Sequence, residues 1–327
     1  MNSCERIRCL LQGEPVDKLP RTAWRHFPID DETAQGLADV TVAFQEMFGW
    51  DLVKICHHTQ HSTEDWGNDV RWPMTREVWG RVRKHRIQSC EDWSTIEPLA
   101  MAGNAWAREI EAVRMIAQRL DGVPVLSTVF SPLVTAEAMA PRIWQDLKDN
   151  PRLVHEALEA IADTTARFVV EVLKAGAHGV FYAVGTAQRQ LMTSEQFCAF
   201  GRKYDLFVLK EAQNAFFNMC HMHGENLLFD QVLDYPVHAF NWSDREYGPT
   251  LQELRALTDK MLIGGIDEKQ LVETSREEIH QDVLSLLPSL PLGPFMWGPG
   301  CVVPLAVSYE RLWWLQEGID HASGSVK

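Results

Sequence analysis

Two short segments hold residue types whose spacing could do chemistry: Cys220-His221-Met222-His223-Gly224-Glu225 and Gly298-Pro299-Gly300-Cys301. Alternate side chains of a strand point the same way, so His221 and His223 share one face while Cys220 and Met222 take the other. Two imidazoles and the Cys301 thiolate make a three-ligand metal site with a fourth position open for water or substrate. Sulfur with imidazole favours Zn²⁺, and the same softness admits Cu, Co, Ni or Fe. Other polar residues stand just past apolar runs: His26, His57 and His58, Asn241, Asp244 and Asp267. Any one histidine there is as readily a strand-end residue satisfying backbone groups; several together point to a site. Asp244 and Asp267 read more simply as strand-end caps.

Those residues need a scaffold that gathers strand ends. Short β-branched or aromatic runs alternate with helical stretches, the pattern of parallel strands joined by helices. Eight strands are expected, at 21–27, 52–57, 123–130, 179–184, 215–221, 237–242, 261–266 and 293–298. Helical periodicity marks 106–120, 151–175, 194–212, 250–258 and 275–287. Caps are expected at Asn150, at Thr193 or Ser194, and at Thr274 or Ser275. The fold class is therefore α/β, a single (β/α)8 TIM barrel over residues 1–327, with its active site at the C-terminal strand ends. Residues 58–104, rich in Trp66, Trp72, Trp79 and Trp93, interrupt the rhythm after strand two and are expected to form a lid or site wall. The tail after Asp320 is expected to fray.

Composition narrows the function. With 327 residues, 46% hydrophobic and 23% charged, the chain can bury a large core. A net charge of −14 argues against a phosphate-backbone partner, so no nucleic acid is expected. No apolar run has the length of a membrane helix and the N-terminus carries charges, so no membrane partner and a cytoplasmic location are expected. Seven widely spaced cysteines fit reduced thiols better than a disulfide framework.

At the ligand segments the chain resembles the uroporphyrinogen decarboxylase-like superfamily, and within it the zinc-dependent methylcobamide:coenzyme M methyltransferase branch. The resemblance spans nearly the whole chain: ERIRCLLQGEPVDKLPRTAW (5–24), FGWDLVKI (48–55), EDWG (64–67), VPVLSTVFSPL (123–133), AGAHGVFYA (175–183), HMHGEN (221–226), DYPVHAFNWSD (234–244), IGGID (263–267) and GPGC (298–301). In that branch a His-x-Cys on strand five and a Cys after strand eight hold the metal. His221 and Cys301 match; His223 stands where the branch has Cys, which leaves the metal more Lewis acidic. The Arg-rich segment and strand-two Asp that hold the tetrapyrrole in true uroporphyrinogen decarboxylases are missing. Strand one runs Trp24-Arg25-His26-Phe27-Pro28 and strand two ends Cys56-His57-His58.

The leading expectation is a metal-dependent methyl or alkyl transferase, with a methylated corrinoid, free or carried by a partner protein, as donor to a thiol or other small acceptor. His26, His57 or His58 would take or relay a proton, and Glu225 would serve as second partner of an imidazole N–H or as a helix-cap neighbour. Trp24, Tyr182, Asn241 and Asp267 are candidate substrate-binding residues; Tyr182, His238 and the four Trp of 58–104 read equally well as packing aromatics. The alternatives are a metal-assisted lyase, decarboxylase or hydrolase acting on a small acid or aromatic compound, and a non-catalytic corrinoid-binding protein.

Overall fold

The computed structural model describes residues 1–102 and 104–324. Among the described residues nine strands form: β1 (Val53–Ile55), β2 (Asp69–Arg71), β3 (Arg81–Lys84), β4 (Val125–Phe130), β5 (Gly179–Val184), β6 (Met219–Met222), β7 (Ala239–Trp242), β8 (Met261–Ile266) and β9 (Phe295–Pro299). Seven build one curled parallel sheet in the order β1-β4-β5-β6-β7-β8-β9, while β2 and β3 pair antiparallel by themselves. The fold is thus α/β with a curled parallel sheet.

The expected first strand, 21–27, shrinks to a single parallel bridge between Arg21 and Trp297. Its backbone nonetheless touches both edges of the sheet. The Thr22 N–H donates to the Trp297 carbonyl at 2.8 Å, and the Asp51 N–H donates to the Arg21 carbonyl at 2.8 Å. Pro20 has no N–H to extend the ladder backward. Beyond Trp24, whose carbonyl accepts from Val303 at 2.9 Å, the chain leaves the sheet. The other seven expected strands all form, most of them trimmed at the N-terminal end.

The period-2 alternation divides the apolar residues into two layers. One face of the strands, including Val53, Ile55, Val125, Val180, Cys220, Met222 and Trp242, packs against the helices. The other encloses Leu52, Cys56, Leu126, Phe181, Met219, Ile263 and Met296, joined by Ile7 and Leu10 of the helix Ser3–Leu11. Side chains that reach the inside of the curl therefore come from one parity of each strand.

Expected caps form where the sequence offers them. Asn150 accepts from Leu153 N ahead of Pro151–Lys174, and Thr193 and Ser275 each complete a capping box. The expected single helix 194–212 is instead four pieces, with one π-helical turn at Cys198–Arg202. The tail does not fray at Asp320: the last helix, Tyr309–Gly324, runs past it, and residues 325–327 lie outside the described residues. No helix among the described residues is long and apolar enough to cross a membrane.

Candidate metal centre

β6 ends at Met222 and hands His221 to the inside of the curl; His223 follows, its N–H still bonded to the Val184 carbonyl at 3.1 Å. The turn after β9 brings Cys301 to the same place. Gly300 makes this approach possible, because a Cβ there would lie 2.7 Å from the Ser243 Cα. Its N–H is held by Glu268 Oε2 at 2.9 Å. The ligand atoms of His221, His223 and Cys301 all lie within 4.8 Å of one another, the one such cluster of three or more among the described residues.

The spacing can be tested against a metal. Tetrahedral zinc, with bonds of about 2.3 Å to sulfur and about 2.0–2.1 Å to nitrogen, has sulfur–nitrogen edges of about 3.5 Å. Cys301 Sγ lies 3.8 Å from His221 Nε2 and 3.6 Å from His223 Nδ1. The residues fit the ion.

Asn241 orients the first ligand. Its amide nitrogen donates to the Ile263 and Pro299 carbonyls, both at 2.9 Å, so its oxygen must face His221 Nδ1 at 2.6 Å. That oxygen can only accept, so Nδ1 carries the proton and Nε2 turns its lone pair toward Cys301. Burial opposes ionisation of the Cys301 thiol, but the hydrogen bond and charge of a His221 ring that carries protons on both nitrogens, with the Val302 N–H, outweigh it and bring its pKa below the ordinary value; a bound metal ion would take the place of the Nε2 proton. Burial also lowers the pKa of His223. Both effects favour the metal-binding forms, thiolate and neutral imidazole.

A second set of histidines stands at the end of β1. His57 is enclosed, with Nδ1 2.8 Å from Glu109 Oε2 and Nε2 2.8 Å from Ser127 Oγ. Burial opposes the charge on Glu109, but bonding to His57 and the fields of His57, His61 and Arg108 bring its pKa down to about 2. An ionised Glu109 can only accept, so His57 Nδ1 bears the proton and Nε2 accepts from Ser127. His58 pairs through Nδ1 with Glu64 at 3.0 Å, and its ring lies against Trp72 at 4.2 Å. Arg108 bridges Glu64 and Glu109.

Two spaces meet at the metal ligands. An inner cavity of about 230 Å³ is lined by Trp24, His26, Lys54, His57, His61, Phe181 and others, together with His221, His223 and Cys301. An outer groove of about 890 Å³ opens on the other side, with His223 and Cys301 at its floor and Trp79, Glu225, Glu246 and Glu268 along its walls. The β2–β3 hairpin reaches over the histidines. The Trp79 ring lies 5.6 Å from that of His26, and a Cβ on Gly80 would sit 2.7 Å from His58 Nε2.

Of the residues singled out by sequence, His221, His223, Cys301, Trp24, His26 and His57 share the inner cavity. Asn241 stands behind His221 and does not line the cavity. Glu225 is exposed on the groove wall, its backbone N–H donating to Gln188. Tyr182 points to the helical side, where its hydroxyl donates to the buried Asp205. Asp267 caps the N–H groups of Lys269 and Gln270 and borders a separate cavity. Asp244 caps Gly265 through both oxygens, and burial raises its pKa to about 7. His238 accepts from the Asn218 N–H, while Trp66 and Trp93 are buried and donate to the Glu97 carbonyl and to Asp146. Lys54, His61, Glu109, Ser127, Phe181 and Glu268 were not anticipated. A lysine inside an apolar strand and Glu109 on the buried stripe of Asn104–Arg119 were the legible signs of two of them.

Solved structures similar to this chain share its fold. A methyltransferase from Methanosarcina mazei superposes with a TM-score of 0.82 at 16% identity, over 98% of this chain and 99% of that one. A B12-independent methionine synthase from Shewanella sp. W3-18-1, in complex with selenomethionine, gives 0.60 at 10% identity, over 94% and 98%. A putative vitamin-B12-independent methionine synthase from Listeria monocytogenes gives 0.58 at 11%, over 96% and 99%. No curated protein matches significantly. The profile of one family matches from residue 8 to residue 320, and the chain belongs to that family, uroporphyrinogen decarboxylase (URO-D).

Proposed function

We propose that this protein is a zinc-dependent methyl or alkyl transferase that moves the group from a methylated corrinoid, free or on a partner protein, to a small thiol or other acceptor. The observation that carries this reading is the converged His221, His223 and Cys301 set, lying between a small inner cavity and a wide outer groove. The inner cavity suits the acceptor and the outer groove the bulkier donor. The likeness to a methyltransferase and to methionine synthases lends the reading further support. The same reading takes residues 1–327 as one barrel domain, closed at Arg21 between β1 and β9, with 58–104 as a wall over the mouth.

Zinc held by these residues would supply a Lewis acid that lowers the pKa of the acceptor. The acceptor's lone pair forms the new bond to carbon, the bonding pair of the broken bond stays with the donor, and the acceptor's proton must go elsewhere. His57 is the residue suited to take it, since it lines the inner cavity with its ring held between Glu109 and Ser127. His26 and His61 are poor acceptors, because burial pulls the pKa of each down to about 3.

Decarboxylation of uroporphyrinogen fits the site poorly. Arg25 is spent on the Leu305 and Val307 carbonyls and Arg189 on Asp230, so neither is free for a polycarboxylate. Metal-assisted lyase or hydrolase chemistry on a small acid is favoured by one observation, the single thiolate in the ligand set, which leaves more positive charge on the metal. The deciding experiment is zinc analysis of protein purified without added metal, followed by methyl transfer from methylcobalamin to a panel of thiols and phenols. Near-stoichiometric zinc with transfer supports the proposal; protein that binds no zinc at micromolar concentration ends it.

A further inference from the structure

The inner cavity contains a charge that the transfer chemistry does not use. On the inward parity of β1, Leu52 and Cys56 are apolar and the residue between them is Lys54, 8% exposed. Its Nζ donates to Cys56 Sγ at 3.1 Å and lies 4.7 Å from the centre of the Phe181 ring. Thiol sulfur is a weak acceptor. Among the described residues no carboxylate pairs with Lys54, although the folded chain supplies partners to many exposed lysines and arginines. A buried ammonium left to a thiol and a ring face is costly unless something else completes its shell.

The space beside it says what that is. Lys54 borders the 230 Å³ cavity, smaller than the about 300–1,000 Å³ that hold drug-sized ligands. Trp24, Phe130 and Phe181 are among its lining residues. His26 Nδ1 and His61 Nε2 are buried there without hydrogen-bond partners, and both rings stay neutral near pH 7. Lys54 is therefore the one lysine or arginine lining the cavity among the described residues. Phe181 connects it to the metal ligands: besides its edge contact with Trp24, its ring stacks on His221 with centroids 5.0 Å apart. A flat molecule lying along Phe181 would meet the ammonium at one end and the His221, His223 and Cys301 set at the other.

We propose that Lys54 anchors the anionic group of a small aromatic monoanion, a single ring bearing one carboxylate or phenolate, and so sets the substrate class of this site. The assignment rests on the metal-site reading for the orientation of the molecule, but the anion contact itself needs no metal. Orphaned His26 and His61 nitrogens hydrogen-bond its remaining polar substituents, and the single cation selects one negative charge over several.

Calorimetric titration with benzoate and with benzamide, its neutral counterpart of the same shape, tests this on chelator-treated and zinc-loaded protein. Benzoate is expected to bind at least about tenfold more tightly than benzamide in both forms. In Lys54→Met that preference should vanish, with benzamide affinity within about twofold of wild type, whereas Lys54→Arg should keep it. Lys54→Met should melt no lower than wild type, because it removes an uncompensated charge. Equal binding of benzoate and benzamide, no binding of benzoate at about 10 mM, or a preference that survives Lys54→Met overturns the proposal. Hexanoate binding as tightly as benzoate overturns the aromatic part. Zinc content of the same samples separates the two readings: a benzoate preference in protein that never takes up zinc sinks the metal site alone, and zinc uptake without the preference sinks the anchor alone.

Discussion

Two strand ends of this molecule are rich in histidine, and the partners of those histidines differ in kind. At the end of β6, His221 is held by the neutral amide of Asn241, and its second nitrogen, with that of His223, converges on a thiol. At the end of β1, His57 and His58 are each held by a carboxylate, and Arg108 balances those charges. A carbonyl-type partner fixes the proton on Nδ1 and turns the Nε2 lone pair toward Cys301. A buried carboxylate also takes the Nδ1 proton, but at His57 the other nitrogen is already occupied by the Ser127 hydroxyl. The two ends differ in the partner, not in the histidine.

Substitutions at the two ends should therefore separate stability from metal content. Glu109→Ala strands His57 and part of Arg108 in the core, and should cost about 3–5 kcal/mol in denaturant unfolding while zinc content per folded chain stays unchanged. Loss of zinc there would mean the two ends are one site. Cys301→Ala should do the reverse, abolishing stoichiometric zinc with a melting temperature near that of the metal-free wild type. His223→Ala should also weaken zinc; full occupancy and activity after that change would reduce His223 to a strand-end residue.

A smaller effect tests the tautomer argument. Asn241→Ala removes no ligand but frees the His221 ring, and zinc affinity by competition with a chelator should fall about 10- to 100-fold. An unchanged affinity would show that packing alone orients His221. The last is an acid effect at the β1 end, read as a slope. Burial pulls the folded-state pKa of His61 from 6.5 to about 3, so between those values the unfolded chain binds a proton that the folded chain does not. Stability should fall as pH drops from 6.5 toward 3, with a slope of about 1.4 kcal/mol per pH unit from this residue. His61→Phe, among Trp106, Phe130 and Phe168, should flatten the curve by that amount. Unfolding curves across that range that coincide in slope would place His61 in contact with water.

Much of the His221, His223 and Cys301 cluster was legible because it depends on local parity. His-x-His in a strand and a Gly-Pro-Gly-Cys turn determine direction within a few residues, and the strand pattern brings both to one end of the sheet. Asn241 was visible as a polar residue past an apolar run, but as substrate ligand; only the pairing of β6 with β7, opposing His221 to Asn241, made it the ligand's orienting partner. Tyr182 and Asp267 sat in the right segments yet on the wrong parity or one residue off, and Glu268 turned inward instead.

By itself the amino-acid sequence determined the alternation of strand and helix, the caps, the two layers of apolar residues and the residue types of the candidate ligand set, because each follows from periods of two and 3.6 residues and from side-chain chemistry. Tertiary structure decided which charges meet. Glu109 lies 52 positions from His57 and Ser127 70 positions, while among the described residues Lys54 pairs with no carboxylate. Such pairings depend on how helices seat against the curled sheet, and seating is a property of the packed whole that no local period encodes.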